Sequence, residues 1–180
     1  MDGIAKIARA IDGINEVIGK ITSWAALGLV LVQFGIVMMN YLYSEGIIAV
    51  QEGLTYMHSL LFLGAAGYTL LHNGHVRVDI FYSQMNEKKK AYINLIGTFM
   101  ILFPVLLVIG IYGWPFVLQS WEIKEGSIET SGLHFVYILK SMILLFVAST
   151  FIQGISMSIH SLLVIMGHEH LIEEELGEGV

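Results

Sequence analysis

The uncharged stretch AYINLIGTFMILFPVLLVIGIYGWPFVLQSW, from Ala91 to Trp121, decides the fold of this chain. As an α-helix its 31 residues would extend about 46 Å, whereas the hydrocarbon layer of a bilayer is about 30 Å thick. Three further uncharged runs cover residues 21–44, 53–76 and 141–168. A soluble chain of 20.0 kDa could not bury four such runs. The sequence therefore predicts an integral membrane protein with four spans.

The predicted spans are helical, because lipid offers the backbone no hydrogen-bond partners. The ten-residue alternating segments of a membrane β-barrel are absent from the sequence. We therefore predict an all-α integral membrane protein, with residues 1–180 as a single membrane domain. The transmembrane helices are predicted at about residues 22–44, 53–74, 91–120 and 135–166. In the third span, bends are expected at Pro104 and around Gly113-Trp114-Pro115.

Residues 1–20 are predicted to form an amphipathic helix that lies in the bilayer interface. Apolar residues recur there at spacings of three and four, and charged residues occupy mainly the rest of the circumference. The alternative is that this segment only extends the first span. A cleavable signal peptide is not expected, because no continuous apolar core is present. The apolar stripe consists of Ile4, Ile7, Ala8, Ile11, Ile14, Ile18 and Ile21.

The distribution of the nine basic residues predicts the orientation of the chain. Seven of them lie before the first span or between the second and third, and two lie on the other side. Because cytoplasmic loops carry the excess of Lys and Arg, both termini and residues 72–90 are predicted to be cytoplasmic. The acidic tail, residues 169–180, is read as a solvated cytoplasmic end. The seven are Lys6, Arg9, Lys20, Arg77, Lys88, Lys89 and Lys90, and the two are Lys124 and Lys140.

Two features of the spans indicate helix packing. The run from Gly64 to Gly67 in the second span removes side-chain bulk, so a neighbouring helix can approach closely there. Glu52 opens the same span and Lys140 lies near the start of the fourth, at comparable depth. Because a lone charge in the bilayer is costly, we predict that Lys140 pairs with Glu52, or else with Glu45. The alternative is that both charged groups are simply hydrated at the interface.

The histidines leave several alternatives open. His72 and His75 are three residues apart and could share a metal, but the sequence favours histidines that cap the carbonyls at a helix C-terminus. His72 and His160 could also share a depth and ligate haem, as in membrane anchors of respiratory oxidoreductases. The chain contains no cysteine, which excludes disulfides and thiolate metal sites.

The sequence does not predict a solute path. Membrane midplanes of transporters usually carry several polar residues or broken helices, whereas here Gln33, Thr69 and Gln153 are minor exceptions among aliphatic residues. No nucleotide-binding glycine loop and no catalytic arrangement is present, and neither a catalytic residue, a metal site nor a nucleic-acid partner is expected. These features are typical of a membrane subunit that works beside a larger partner and is not an enzyme.

A set of short motifs resembles the small membrane (Q-type) subunit of tripartite ATP-independent periplasmic (TRAP) transporters. The most specific motif is His75-Val76-Arg77-Val78-Asp79 after the glycine-rich second span. The chain departs from many relatives in having no tryptophan before Glu52 and no proline after Lys140. The other motifs are Gln51-Glu52-Gly53-Leu54, Leu63-Gly64-Ala65-Ala66, Ser120-Trp121, Thr130-Ser131-Gly132 and Tyr137-Ile138-Leu139-Lys140-Ser141.

The resemblance implies a function by analogy. Such a system imports an organic acid, delivered by a periplasmic binding protein, across the bacterial inner membrane with a sodium gradient. The large transmembrane subunit, here a separate chain, is expected to hold the substrate and sodium sites, so this chain needs no cofactor of its own. The small subunit would brace the large one, contact lipids and help to dock the binding protein. Arg77 and Asp79 would then fix the cytoplasmic mouth between the second and third spans.

Overall fold

The computed structural model describes residues 2–44, 46–74, 82 and 84–168, and all regular structure in these residues is helical. Four helical segments are long and apolar enough to cross a membrane: Gly3–Tyr43, Ile48–Leu71, Glu87–Glu122 and Val136–Ile165. The prediction of an all-α protein with four spans is confirmed. The elements are α1 (Asp2–Tyr43), α2 (Ile48–Gly64), α3 (Ala66–Leu71), α4 (Glu87–Gly97), a π-helical turn (Thr98–Leu102), α5 (Phe103–Glu122) and α6 (Val136–Ile165).

Helix α1 runs without a break through both the predicted interfacial segment and the first span. Its 42 residues extend about 63 Å, twice the hydrocarbon thickness. Residues 2–20 therefore share one continuous helix with the first span, and their predicted place in the bilayer interface stays a prediction. Most of the predicted apolar stripe faces outward, with Ile7 57% and Ile21 65% exposed, but Ala8, a member of that stripe, is fully buried together with Asn15. Outward isoleucines and an inward amide are the arrangement that a lipid surrounding favours.

Helix α6 is the centre of the bundle. It contacts every other helix in the described part of the chain. Small and polar side chains dominate its buried positions. In lipid, apolar side chains gain little from being buried against another helix, so helices associate through close packing and hydrogen bonds. The buried residues of α6 are Ser149, Thr150, Gln153, Gly154, Ser156, Ser158, Ser161 and Leu163.

The third span contains a π-helical turn directly before Pro104. The backbone N–H of Phe103 donates to the carbonyl of Thr98, five residues earlier. A proline has no N–H and its ring crowds the preceding turn, so a wider turn accommodates it. Phe103 follows this turn and packs against Phe151 of α6, with 4.8 Å between ring centroids. Gly154 leaves the space for this ring, since an added Cβ would lie 2.9 Å from Phe103 Cε1.

The two ends of the bundle differ in composition. We call the end that holds the connection 123–135 the loop end, and the end that holds His72 and Lys88–Lys90 the basic end. At the basic end, α3 closes with Asn73 in the left-handed conformation (φ 52°). The Gly74 N–H donates to the Thr69 carbonyl at 2.8 Å, and the Asn73 N–H donates to the Leu70 carbonyl. Backbone groups therefore satisfy the helix C-terminus.

Candidate functional site

A buried polar network joins α1 to α6 near the basic end. The carboxylate oxygen Oδ1 of Asp12 accepts hydrogen bonds from Gln153 Nε2 at 2.8 Å and Ser156 Oγ at 2.6 Å. Its second oxygen, Oδ2, lies 2.8 Å from His160 Nε2. Because a carboxylate only accepts hydrogen bonds, Nε2 supplies the proton of that bond. Three donors from α6 thus surround one carboxylate of α1 and satisfy it, although its side chain is still 17% exposed.

Asn15 extends this network one turn along α1. Its Nδ2 donates to Gln153 Oε1 at 2.8 Å and lies 3.4 Å from the Ser149 carbonyl. Its Oδ1 faces Gly67, where an added Cβ would contact Asn15 Oδ1 and lie 2.9 Å from the Ser149 carbonyl. Gly67 therefore brings the second span into contact with both α1 and α6 at the position of the network.

Gly64, the other small residue singled out from the sequence, lies one helical turn from Gly67. An added Cβ at Gly64 would lie 3.0 Å from Thr22 Cγ2 of α1 and 3.6 Å from Leu145 Cδ2 of α6. Gly19 of α1 plays the reciprocal part, because the ring of Tyr68 packs directly on its Cα. Glycine residues on both helices thus allow the first and second spans to lie close together.

A second carboxylate of α1 binds the end of the second span. Glu16 Oε2 lies 2.7 Å from His72 Nε2, and Glu16 Oε1 lies 3.1 Å from Lys20 Nζ. The Tyr68 ring lies beside the imidazole, with 4.4 Å between centroids. The expectation that His72 caps helix carbonyls is therefore wrong: its side chain binds Glu16, and backbone hydrogen bonds involving Asn73 and Gly74 close the helix.

The structure does not support a haem site. The two candidate ligands, His72 and His160, each direct Nε2 to a carboxylate of α1, Glu16 and Asp12 respectively. The atoms that would bind iron are therefore engaged by two different acids. In the described residues, no group of three or more His, Asp or Glu side chains could hold a metal ion.

At the loop end, Glu52 holds the connection between the third and fourth spans. Its Oε1 accepts a short hydrogen bond from Ser127 Oγ, and its Oε2 accepts the backbone N–H of Leu133 at 2.6 Å. Gly132 lies against the same carboxylate, where an added Cβ would approach Glu52 Oε1 to 2.7 Å. One carboxylate at the start of α2 therefore fixes both sides of a loop some eighty residues later in the chain.

Lys140 pairs with Glu125, and not with Glu52 as predicted from the sequence. Lys140 Nζ lies 2.5 Å from Glu125 Oε2 and 4.1 Å from the centroid of the Phe116 ring. Glu125 follows α5, and the ammonium beside it holds the pKa of that carboxyl below its usual value. Lys140 is therefore paired, as expected from the cost of a lone charge in the bilayer. Its partner lies on the connecting loop and not on the second span.

Aromatic side chains complete the loop end. Trp121 Nε1 donates to Ser141 Oγ at 2.8 Å, and Lys124 Nζ lies 4.5 Å from the Trp121 ring and 5.0 Å from the Tyr137 ring. Tryptophan and tyrosine with a cation above them are typical of the boundary between lipid and water.

Four of the residues singled out from the sequence lie outside the described residues: Glu45, His75, Arg77 and Asp79. Their predicted roles, as an alternative partner of Lys140 and as the fixed mouth of the hairpin, stay predictions. The alternation of apolar and polar residues from Val76 to Ile80, which predicts an extended segment, lies in the same part of the chain.

Sequence reasoning missed the network around Asp12, although a signal was present. Ser149, Gln153, Ser156 and His160 follow one another at spacings of four, three and four, which places four polar groups on one face of α6. Such a polar stripe inside a long apolar span indicates a buried face. The sequence alone puts Asp12 among the charged residues of the predicted interfacial helix, so it indicates no partner for this carboxylate.

The fold and its contacts define the class of this protein. It is a small multi-pass helical membrane protein in which polar side chains of different helices bind each other around Asp12. The family described as "Tripartite ATP-independent periplasmic transporters, DctQ component" matches residues 18–164. The chain belongs to this family, the small subunit of TRAP transporters, which operate with a large membrane subunit and a periplasmic binding protein. Comparison with curated proteins and with solved structures gives no significant match.

Family membership confirms the resemblance drawn from the sequence motifs. It identifies a transporter component and not an enzyme, and it agrees with a multi-pass protein of the inner membrane. It gives no support to the alternative of a haem-binding anchor. The match covers all four spans except the first turns of α1 and the last residue of α6.

Proposed function

We propose that this chain is a static brace for the large subunit of a sodium-coupled transporter that imports an organic acid. The observation that carries the proposal is the pairing of internal polar groups. Gln153 and His160 both bind Asp12, and Glu52 and Lys140 each bind the loop 123–135. A solute in the membrane needs unpaired polar groups to replace its water shell. In this chain the five side chains just named are committed to holding helices and loops, which supports binding of substrate and sodium on the large subunit.

The proposal also gives the orientation of the chain. The excess of lysine at the basic end supports an orientation in which that end, with both termini, lies on the cytoplasmic side. The loop end would then face the periplasm. There Ile128 is fully exposed at the tip of the loop that Glu52 holds. A single apolar side chain on a restrained loop is suited to contact with a soluble partner, and we assign it to docking of the binding protein.

Uptake by purified components tests this function. Vesicles that contain both membrane subunits, with binding protein and organic acid outside, are expected to accumulate the acid when an inward sodium gradient is imposed. Vesicles that lack this chain, or contain it alone, are expected to show no gradient-dependent uptake. The brace role is wrong if this chain alone catalyses sodium-driven flux, or if the large subunit works equally well without it.

A loop variant tests the docking role in the same vesicles. Ile128→Ser removes the exposed apolar contact, whereas Ile123→Ser, at the end of α5 and 67% exposed, is a matched change on the same connection. We expect Ile128→Ser to raise the concentration of binding protein needed for half-maximal uptake and leave the maximal rate unchanged. An equal effect of both variants would contradict a specific contact at Ile128.

A further inference from the structure

Gln33 places an amide in the middle of the first span, on the outside of the bundle. It follows Lys20 by 13 residues and precedes Glu45 by 12, so roughly 20 Å of helix separates it from the nearest preceding charge. This depth lies within a hydrocarbon layer about 30 Å thick. The side chain is exposed, and it makes no hydrogen bond to any residue that the structure describes.

The other polar groups of the predicted midplanes are satisfied within the chain. Thr69 Oγ1 donates to the Ala65 carbonyl at 2.9 Å, and Gln153 binds Asp12 and Asn15. Gln33 is the exception among the three. An unpaired amide in hydrocarbon costs several kcal/mol on transfer scales, and lipid tails provide neither a donor nor an acceptor. The surface that covers Gln33 must therefore be protein with a polar group at that depth.

The surroundings of Gln33 have the shape of a helix-packing surface. Asn40 lies seven residues further along and therefore on the same face, and Val30 and Val37 flank it, 62% and 52% exposed. We call these four residues the Gln33 face. Beside it an apolar groove of about 420 Å³ lies between α1 and the start of α2. Gly35 lines this groove, and an added Cβ there would meet nothing within 4 Å, so side chains of another helix can enter.

We propose that the Gln33 face is the surface of this subunit on which a transmembrane helix of the large subunit docks. That helix supplies a hydrogen-bond partner to the Gln33 amide near the bilayer centre and places apolar side chains in the groove. The proposal rests on the brace function proposed above. A second copy of this chain would pair the Gln33 amide with its own counterpart, but it is the poorer occupant of the groove, because a two-fold contact sets each patch against itself. Groove would then face groove, and neither would be filled.

Site-directed crosslinking tests the location, because the chain has no cysteine of its own. Val37→Cys introduces a thiol on the Gln33 face, and Ile111→Cys introduces one on the outward side of α5, where Ile111 is 66% exposed. In membranes that contain the complete transporter with single cysteines in the large subunit, Val37→Cys is expected to crosslink to it and Ile111→Cys is not. Crosslinking only at Ile111, or of Val37→Cys only to a second copy of this chain, overturns the proposal.

Removal of the amide tests its contribution. Gln33→Leu keeps the size of the side chain and abolishes its hydrogen bonds, whereas Gln33→Asn retains an amide and Ile111→Leu serves as a control elsewhere on the surface. We expect Gln33→Leu to weaken binding of the large subunit about threefold to thirtyfold, the range that interhelical hydrogen bonds in membranes supply. Gln33→Asn should recover part of this loss. Unchanged binding of Gln33→Leu overturns the proposal.

The wild-type complex separates this proposal from the one on which it rests. If the wild-type chain does not bind the large subunit at all, the brace function fails first. If it binds, and neither the Val37 crosslink nor the Gln33→Leu loss is observed, the brace function stands and the assignment of the Gln33 face is wrong.

Discussion

The two ends of the bundle hold the chain together in different ways. At the basic end, side chains on α1 and α6 bind each other directly, with Asp12 and His160 separated by 148 positions in the sequence. At the loop end, Glu52 and Lys140 each bind the loop 123–135, and Lys140 and Glu125 are only 15 positions apart. The contacts at the basic end fix the register of two spans, whereas those at the loop end fix only a connection. Loss of a contact at the basic end should therefore lower the free energy of unfolding more.

The largest effect is expected from Asp12→Ala. This change leaves the donors of Gln153, Ser156 and His160 without their acceptor in a largely buried interface. We expect a loss of about 2–4 kcal/mol in the free energy of unfolding, between the cost of breaking a buried pair in water and the smaller values per hydrogen bond in membranes. Unfolding in mixed micelles titrated with a denaturing detergent measures it.

The control lies two residues away on the same helix. Ile14→Ala changes an outward side chain that is 52% exposed, and we expect a change within about 0.5 kcal/mol. An equal loss for Ile14→Ala and Asp12→Ala would show that the network does not hold the two spans together.

A smaller effect is expected from Gly67→Ala. The added Cβ would contact Asn15 Oδ1 and lie 2.9 Å from the Ser149 carbonyl, a backbone atom that cannot move away freely. Overpacking of this kind costs about 1–3 kcal/mol. Gly53→Ala is the matched control, because a Cβ there meets nothing within 4 Å, and we expect it to be neutral or stabilising. The same unfolding titration compares them, and equal losses would contradict close packing at Gly67.

The smallest effect is expected at the loop end, from Glu125→Gln. The pKa of Glu125 is lowered in the folded state by Lys140. The pair therefore stabilises the fold fully above the unfolded pKa of the carboxyl and loses its effect as pH falls through the folded pKa. Wild type should be slightly more stable than Glu125→Gln at neutral pH, and the difference should vanish in acid. A difference that does not change with pH would exclude the ion pair as its cause.

The number of spans could be predicted because uncharged length is a property of the chain alone. The helices Ile48–Leu71 and Val136–Ile165 lie close to the predicted 53–74 and 135–166, whereas Gly3–Tyr43 begins well before the predicted residue 22. Partners could not be predicted in the same way. Helical spacing shows that Gln153 and His160 share a face, but it does not show which helix covers that face. The pairing of Lys140 with Glu52 was wrong for this reason, because depth alone does not distinguish Glu52 from Glu125.

The unbroken course of α1 connects two places that are otherwise unrelated. Asp12 and Gln33 lie on one continuous helix, 21 residues apart, which is about 30 Å. A helix without a hinge transmits a load along its axis, so a pull exerted on the outer half of the first span is resisted where Asp12 is anchored to α6. A substitution that weakens the contact between Asp12 and α6 should therefore make the Gln33 face easier to displace. It would do so without changing any residue that touches the partner.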